Sequence, residues 1–307
     1  MLRVRSLVAV LVLLACQSAF ARDAAQLQVA LRRLANVGGT LYVAAHPDDE
    51  NTALLSWSAT ERWYRTAYLS VTRGDGGQNL IGDEKGPLLG VIRTQELLAA
   101  RRIDGAEQMF TRAIDFGYSK NPEETLAIWG HDAVLADVVW AIRKFQPDVI
   151  VTRFPTNGDG GHGHHTASAM LAEEAFVAAA DPSKFPEQLQ YVSPWQAKRI
   201  FWNRFSFRPL DPNDPALANS LRIDLGTFNS LLGRAYTEIA AESRSQHKSQ
   251  GFGSAERRGS IINYFDLRAG EPAKSDLYEG VDSRWSRYPG GEKVGDLLQR
   301  AADGFDP

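Results

Sequence analysis

Two short segments hold residues whose types and spacing suit hydrolytic metal chemistry. His46-Pro47-Asp48-Asp49-Glu50 sets an imidazole and a carboxylate three residues apart, and His162-Gly163-His164-His165 adds three more imidazoles. At a strand-to-helix turn, side chains at i and i+3 point the same way, and imidazole with carboxylate suits Zn²⁺ or another divalent transition metal. His46 and Asp49 are therefore candidate ligands, with a third to come from His162, His164 or His165. Three protein ligands leave a fourth position for water, and Asp48 beside it is a candidate general base. The plainer reading makes Asp48, Asp49 and Glu50 helix N-terminal charges favoured by the dipole. It does not explain why four of the six histidines fall in two segments. Of the other two, His131 reads as a helix-start residue and His247 as a solvated helix residue.

The elements that must carry these segments alternate between strand and helix. Thr40 to Ala45, Ala67 to Thr72, Val149 to Phe154 and Arg199 to Trp202 read as strands, with a further one within Ala106 to Ile114. Gly86 to Ile103, Asp132 to Phe145 and Thr166 to Ala180 have helical spacing of apolar residues. This pattern predicts an α/β, Rossmann-like, mostly parallel sheet with helices on both faces. Ligands of such sheets sit at the carboxyl ends of the strands. His46–Glu50, the Gly-rich Arg73–Asn79 loop and Asn157–His165 each follow a predicted strand. In that loop the glycines are expected to let backbone approach a ligand. Further on, Leu221 to Gln250 reads as one long helical pattern and Gly259 to Leu267 as an edge strand.

With 307 residues, 44% hydrophobic and 23% charged, the chain is ordinary for a globular protein. Its net charge of −3, with both signs interspersed, gives no footprint for nucleic acid. Residues 1–21 read as a signal peptide: Arg3 and Arg5, an apolar run from Leu7 to Ala15, then Ala19-Phe20-Ala21. That run is too short for a membrane span. Leu13-Leu14-Ala15-Cys16 competes as a lipoprotein signal, with Leu14 atypical, so the protein is expected to be exported, either periplasmic or secreted, or lipid-anchored at Cys16. Cys16 is the one cysteine, which leaves no disulfide and directs any metal to His and carboxylate ligands. The expected organisation is a lead-in over 22–36, a catalytic domain over 37–267 and a C-terminal extension over 268–307. The end at Gly304-Phe305-Asp306-Pro307, directly after an amphipathic stretch, suggests a cut from a longer polypeptide.

From about Gly39 to Gln250 the sequence resembles the PIG-L/LmbE-type zinc de-N-acetylases. The resemblance rests on His46-Pro47-Asp48-Asp49-Glu50, the distal His162-x-x-His165, the Arg73–Asn79 loop, Arg93-x-x-Glu96 and Ser249-Gln250. It implies a Zn²⁺-dependent hydrolase that removes acetyl from an N-acetylglucosamine-containing glycan or conjugate. It implies His46, Asp49 and His165 as metal ligands, Asp48 as the base and His162 as the acid that meets the oxyanion or leaving amine. Arg93 would contact sugar hydroxyls; on the plainer reading it is a surface arginine paired with Glu96 or a neighbour. The chain also departs from the pattern. Relatives often read His-Pro-Asp-His where it has His162-Gly163-His164-His165, and some carry Tyr where Gly160 stands.

Two other readings compete. Gly158-x-Gly160-x-x-Gly163, with Asp181 beyond it, matches a dinucleotide fingerprint. Asp181 precedes Pro182 in a loop rather than ending a strand, which argues against an oxidoreductase. A non-catalytic metal- or carbohydrate-binding module would have no evident need for Asp48.

Overall fold

The computed structural model describes residues 23–205 and 210–305. Residues 1–21, with the signal-peptide and Cys16 readings, lie outside the described residues. One seven-stranded sheet has the order β3-β2-β1-β4-β5-β9-β6. Its strands are β1 (Gly39–Ala44), β2 (Arg65–Ser70), β3 (Glu107–Phe110), β4 (Val149–Thr152), β5 (Arg199–Asn203), β6 (Leu221–Asp224) and β9 (Ile262–Gly270). A short hairpin supplies β7 (Phe228–Asn229) and β8 (Arg234–Ala235). The strands from β3 across to β5 are parallel, whereas β9 runs antiparallel to both β5 and β6.

Every residue of β1 and β4 is buried, as the unbroken apolar runs require of strands covered on both faces. One covering layer holds α5 (His131–Phe145) and α6 (Gly163–Ala178), packed over Leu41, Val43 and Ile150. The other holds α2 (Thr52–Thr60), α3 (Pro87–Asp104) and α7 (Tyr236–Arg244), packed around Tyr42, Tyr68 and Val151. The short helix α4 (Pro122–Trp129) leads into α5. Strand order reverses between β1 and β4, so the loops leaving their carboxyl ends splay apart and open a crevice. Both chemistry-bearing segments enter there.

Two expectations are corrected. Leu221 to Gln250 is not one helix: β6, the β7–β8 hairpin, α7 and a 3-10 turn at Lys248–Gln250 divide it. Gly226 and Gly233 lie between these pieces, where helix propagation is weakest. The late strand β9 is not at the edge, because it pairs on both sides and leaves β6 outermost. The helices α1 (Ala24–Ala35) and α8 (Glu292–Asp303) pack on each other. Gln28 Nε2 donates to the Ala302 carbonyl at 2.8 Å, and Trp285 Nε1 to that of Leu34 at 2.7 Å. The first and last described helices thus form one structural corner.

Candidate metal centre

The turn after β1 is held in an unusual backbone pose. Asp48 has φ +95°, a conformation that costs a non-glycine residue about 1–3 kcal/mol unless its surroundings enforce it. Those surroundings grip all three polar groups of the residue. Its N–H donates to Glu50 Oε2 at 3.0 Å, its carbonyl accepts Arg244 Nη1 at 2.9 Å, and its Oδ1 accepts Arg93 Nη2 at 2.8 Å. Asn51 then caps α2 by accepting the Leu54 N–H. The Asp48 carboxyl is pushed up to about 6, because burial outweighs the Arg93 charge that lowers it.

Glu50 belongs to a buried network the sequence did not announce. His247 Nε2 lies 2.7 Å and Arg101 Nη2 3.0 Å from Glu50 Oε1, and Arg101 also binds Asp104. Burial alone would raise the Glu50 carboxyl, but the charges of His247 and Arg101 prevail and hold it well below the usual range. His247 is therefore a fully buried partner of Glu50, not a solvated helix residue.

Arg93 also departs from expectation. It is neither at the surface nor beside the cleft that adjoins the site. Buried to 3% exposure, it donates to Asp48 Oδ1, to the Gly74 carbonyl at 3.3 Å and to the Pro47 carbonyl. Its expected partner Glu96 instead accepts the Ser249 N–H and hydroxyl at 2.7 and 2.6 Å. The glycines of the Arg73–Asn79 loop serve Arg93 too. A Cβ at Gly74 would stand 2.3 Å from Arg93 Nη1, and one at Gly77 2.6 Å. They make room for a guanidinium rather than for a ligand.

The second segment starts α6. His162 occupies the N-cap, and its Nδ1 accepts the His164 N–H at 3.2 Å. The proton of neutral His162 is therefore on Nε2. Burial, then the nearby His46 and His165, lower its pKa to about 4, so the ring is neutral near pH 7 and acts as a hydrogen-bond donor. Gly163 follows the N-cap as the first residue of α6. Its N–H donates to the Ser119 carbonyl at 2.9 Å, a bond proline cannot make. Tyr118, from the loop after β3, brings its ring within 5.3 Å of His162.

Three side chains then converge. The His165 ring stacks on Phe154 at 3.8 Å, and its Nδ1 lies 2.8 Å from the Gly160 carbonyl, an acceptor only. His165 must donate from Nδ1, which leaves a lone pair on Nε2. That lone pair lies 3.6 Å from Asp49 Oδ1. Burial lowers the His165 pKa against the pull of Asp49, so the ring stays neutral. Burial would raise the Asp49 carboxyl, but His165 and His46 outweigh it and keep the group ionised. His46 Nδ1 lies 3.2 Å from Asp49 Oδ2. One donor atom each from His46, Asp49 and His165 falls within 4.8 Å of the others. A lone pair and a carboxylate oxygen facing one another call for a cation between them. The donors, two imidazoles and one carboxylate, fit a divalent transition metal.

His46, His162 and His164 meet the same distance limit. This second trio lacks a carboxylate to offset metal charge, and His164 is fully buried against Phe116 and Trp129. His164 Nδ1 lies 3.0 Å from His46 Nε2, hydrogen-bonding distance, and Asp115 stands behind both at 3.7 and 3.9 Å. His164 and Asp115 thus have the position of supports for His46. Nothing in the sequence pointed to Asp115 beyond an acid following a predicted strand.

A cleft of about 490 Å³ opens against Asp48, Asp49 and His165. Larger hollows of about 640 and 620 Å³ adjoin the opposite, amino ends of the strands, against Asp148 and Gly39.

Residues 41–176 match the family model described as "PIG-L: GlcNAc-PI de-N-acetylase". Residues 41–176 are thus a PIG-L family domain. Among similar proteins, the mycothiol S-conjugate amidase of Streptomyces coelicolor is 30% identical over 183 residues, covering 54% of this chain and 61% of that protein. A 1D-myo-inositol 2-acetamido-2-deoxy-alpha-D-glucopyranoside deacetylase of Geodermatophilus obscurus is 32% identical over 180 residues, covering 53% and 60%. This chain thus spans less than two thirds of those relatives' length. Its fold resembles that of N,N'-diacetylchitobiose deacetylase from Pyrococcus horikoshii, with a TM-score of 0.50 over 69% of this chain and 70% of that one at 18% identity. The family match begins in β1 and ends within α6, so it encloses both chemistry-bearing segments.

Proposed function

We propose that this PIG-L chain is a metal-dependent amide hydrolase that removes acetyl from an N-acetylglucosamine-containing glycan or conjugate. The observation that carries the reading is the His165 Nε2 lone pair facing Asp49 Oδ1 at 3.6 Å, beside His46 and next to the restrained Asp48. Its relatives named as amidase and deacetylases agree with the substrate type. His46, Asp49 and His165 would hold the metal, Zn²⁺ being our choice for this donor set. Bound there, the metal supplies Lewis-acid polarisation of the amide carbonyl and a lower pKa for water.

The protein's own residues do the rest. Asp48, fixed at its N–H, carbonyl and carboxylate, takes the proton of the attacking water at its carboxylate. Because Arg93 engages Oδ1, Oδ2 is the free oxygen for that task. His162, protonated on Nε2, donates a hydrogen bond to the oxygen that gains charge as the carbonyl becomes tetrahedral. The proton on Asp48 then passes to the leaving amine as the C–N bond breaks, giving free acetate and a glucosamine nitrogen. Export, read from residues 1–21, points to a glycan outside the cytoplasm.

The test is acetate release from a panel of N-acetylglucosamine conjugates, run as purified, after chelation and after Zn²⁺ is restored. Release that stops with chelator and returns with Zn²⁺ is the expected result. Full release after verified metal removal would overturn the metal-dependent reading.

A further inference from the structure

The cleft beside Asp48, Asp49 and His165 is built for more than an uncharged sugar. Its remaining wall is formed chiefly by Arg153, Phe154, Trp202, Phe205, Arg244 and Phe252. Each arginine sits over an aromatic ring: Arg153 Cζ is 4.0 Å from the Phe205 centroid and Arg244 Cζ 4.1 Å from that of Phe252. A guanidinium held over a ring keeps N–H donors for hydrogen bonds, and Arg153 also hydrogen-bonds the Tyr42 side chain. Arg244 uses Nη1 on the Asp48 carbonyl. Among the described residues neither arginine has a carboxylate within ion-pair distance. Other arginines at the same rim do, as with Arg112–Asp137 and Arg204–Asp266. Asp159, the cleft's third carboxylate, is exposed and accepts Asn157 Nδ2 at 2.6 Å.

We infer that Arg153 and Arg244 bind an anionic group, a carboxylate or a phosphate, carried by the substrate next to its N-acetylated ring. The inference rests on the deacetylase reading for what occupies the reactive end. Two guanidinium groups in one cleft wall can meet the oxygens of such an anion, and the aromatic wall suits the apolar faces of a neighbouring sugar ring. The substrate class is therefore an acidic N-acetylglucosamine conjugate, not a neutral chitin fragment.

Binding separates this inference from catalysis. Calorimetry on the Zn²⁺-loaded Asp48→Asn chain would use two charged probes, a disaccharide of N-acetylglucosamine with glucuronic acid and N-acetylglucosamine 1-phosphate. Their neutral controls are the disaccharide's methyl ester and free N-acetylglucosamine. At least one charged probe is expected to bind about tenfold tighter than its control, and added salt should weaken it. Arg153→Gln and Arg244→Gln should each reduce that preference to about twofold or less. A preference confined to one probe identifies the anion. Equal affinity for charged and neutral probes, or a preference that survives both arginine substitutions, overturns the inference. Acetate release by the wild-type chain from N,N'-diacetylchitobiose and the glucuronate disaccharide is scored separately. Charge-selective binding without release from either would overturn the deacetylase reading alone, whereas release without charge selectivity would overturn this one alone.

Discussion

Arg93 Nη2 donates to Asp48 Oδ1 at 2.8 Å from a site buried behind the turn, so the arginine presses on the proposed base from the protein side. Replacing it with alanine leaves that carboxylate and two backbone carbonyls without their donor. We expect Arg93→Ala to lower kcat about 10–100-fold with KM changed by less than about threefold, the pattern of a positioning residue. Metal content should be unchanged. Steady-state kinetics decide between this role and the sugar contact implied by family resemblance, which would raise KM instead.

Asp48 and Asp49 are adjacent in sequence but face different tasks. Asp49 lies against His46 and His165, whereas Asp48 lies against Arg93. His165→Ala and Asp49→Ala are therefore expected to lose bound metal on purification and dialysis. Asp48→Asn should keep stoichiometric metal while turnover drops by at least about a hundredfold, the range for loss of a general base. Metal analysis beside acetate release checks both. An Asp48→Asn chain of undiminished activity would remove it as the base.

Gly163 is set by packing rather than by a left-handed backbone. A Cβ there would stand 2.4 Å from both the Asn121 carbonyl and Ser119 Oγ. Gly163→Ala should destabilise the fold by about 1–3 kcal/mol through overpacking. Gly163→Pro should cost more, since it also deletes the donor to Ser119. Thermal melts of the two variants provide the measurement, with a larger fall in Tm expected for proline.

The Glu50 carboxyl is held below its ordinary value of 4.5 in the folded chain. The unfolded chain therefore binds more protons through this group as pH falls. The stabilisation from ionised Glu50 is fully present above about pH 4.5 and is lost progressively below it. Glu50→Gln should destabilise the protein at pH 7 by about 1–3 kcal/mol, since Arg101 loses a charged partner. The Tm gap between variant and wild type should narrow in acid. A gap that stays constant from pH 7 to pH 4 would rule out this linkage.

The sequence by itself determined the parallel strands, the α/β class and the two segments that meet. Unbroken apolar runs such as Leu41 to Ala45 and Val149 to Val151 pack only with both faces covered, and that burial places the residues after them at one rim. His46, Asp48 and Asp49 stood out as candidates because their types and spacing are local properties of the chain, whereas the choice of His162 and His165 among the second segment's imidazoles came from the family resemblance. Only the tertiary structure decided what surrounds them. Arg93 turned inward because Gly74 and Gly77 vacate the space behind Asp48, and a glycine's spatial partner is not written in its own segment. His247 meets Glu50, and Arg244 meets the Asp48 carbonyl, across almost 200 residues of chain. Those contacts depend on where α7 docks over the sheet. The helical pattern read for Leu221 to Gln250 concealed that docking, because periodicity reports which face is apolar and not what packs against it.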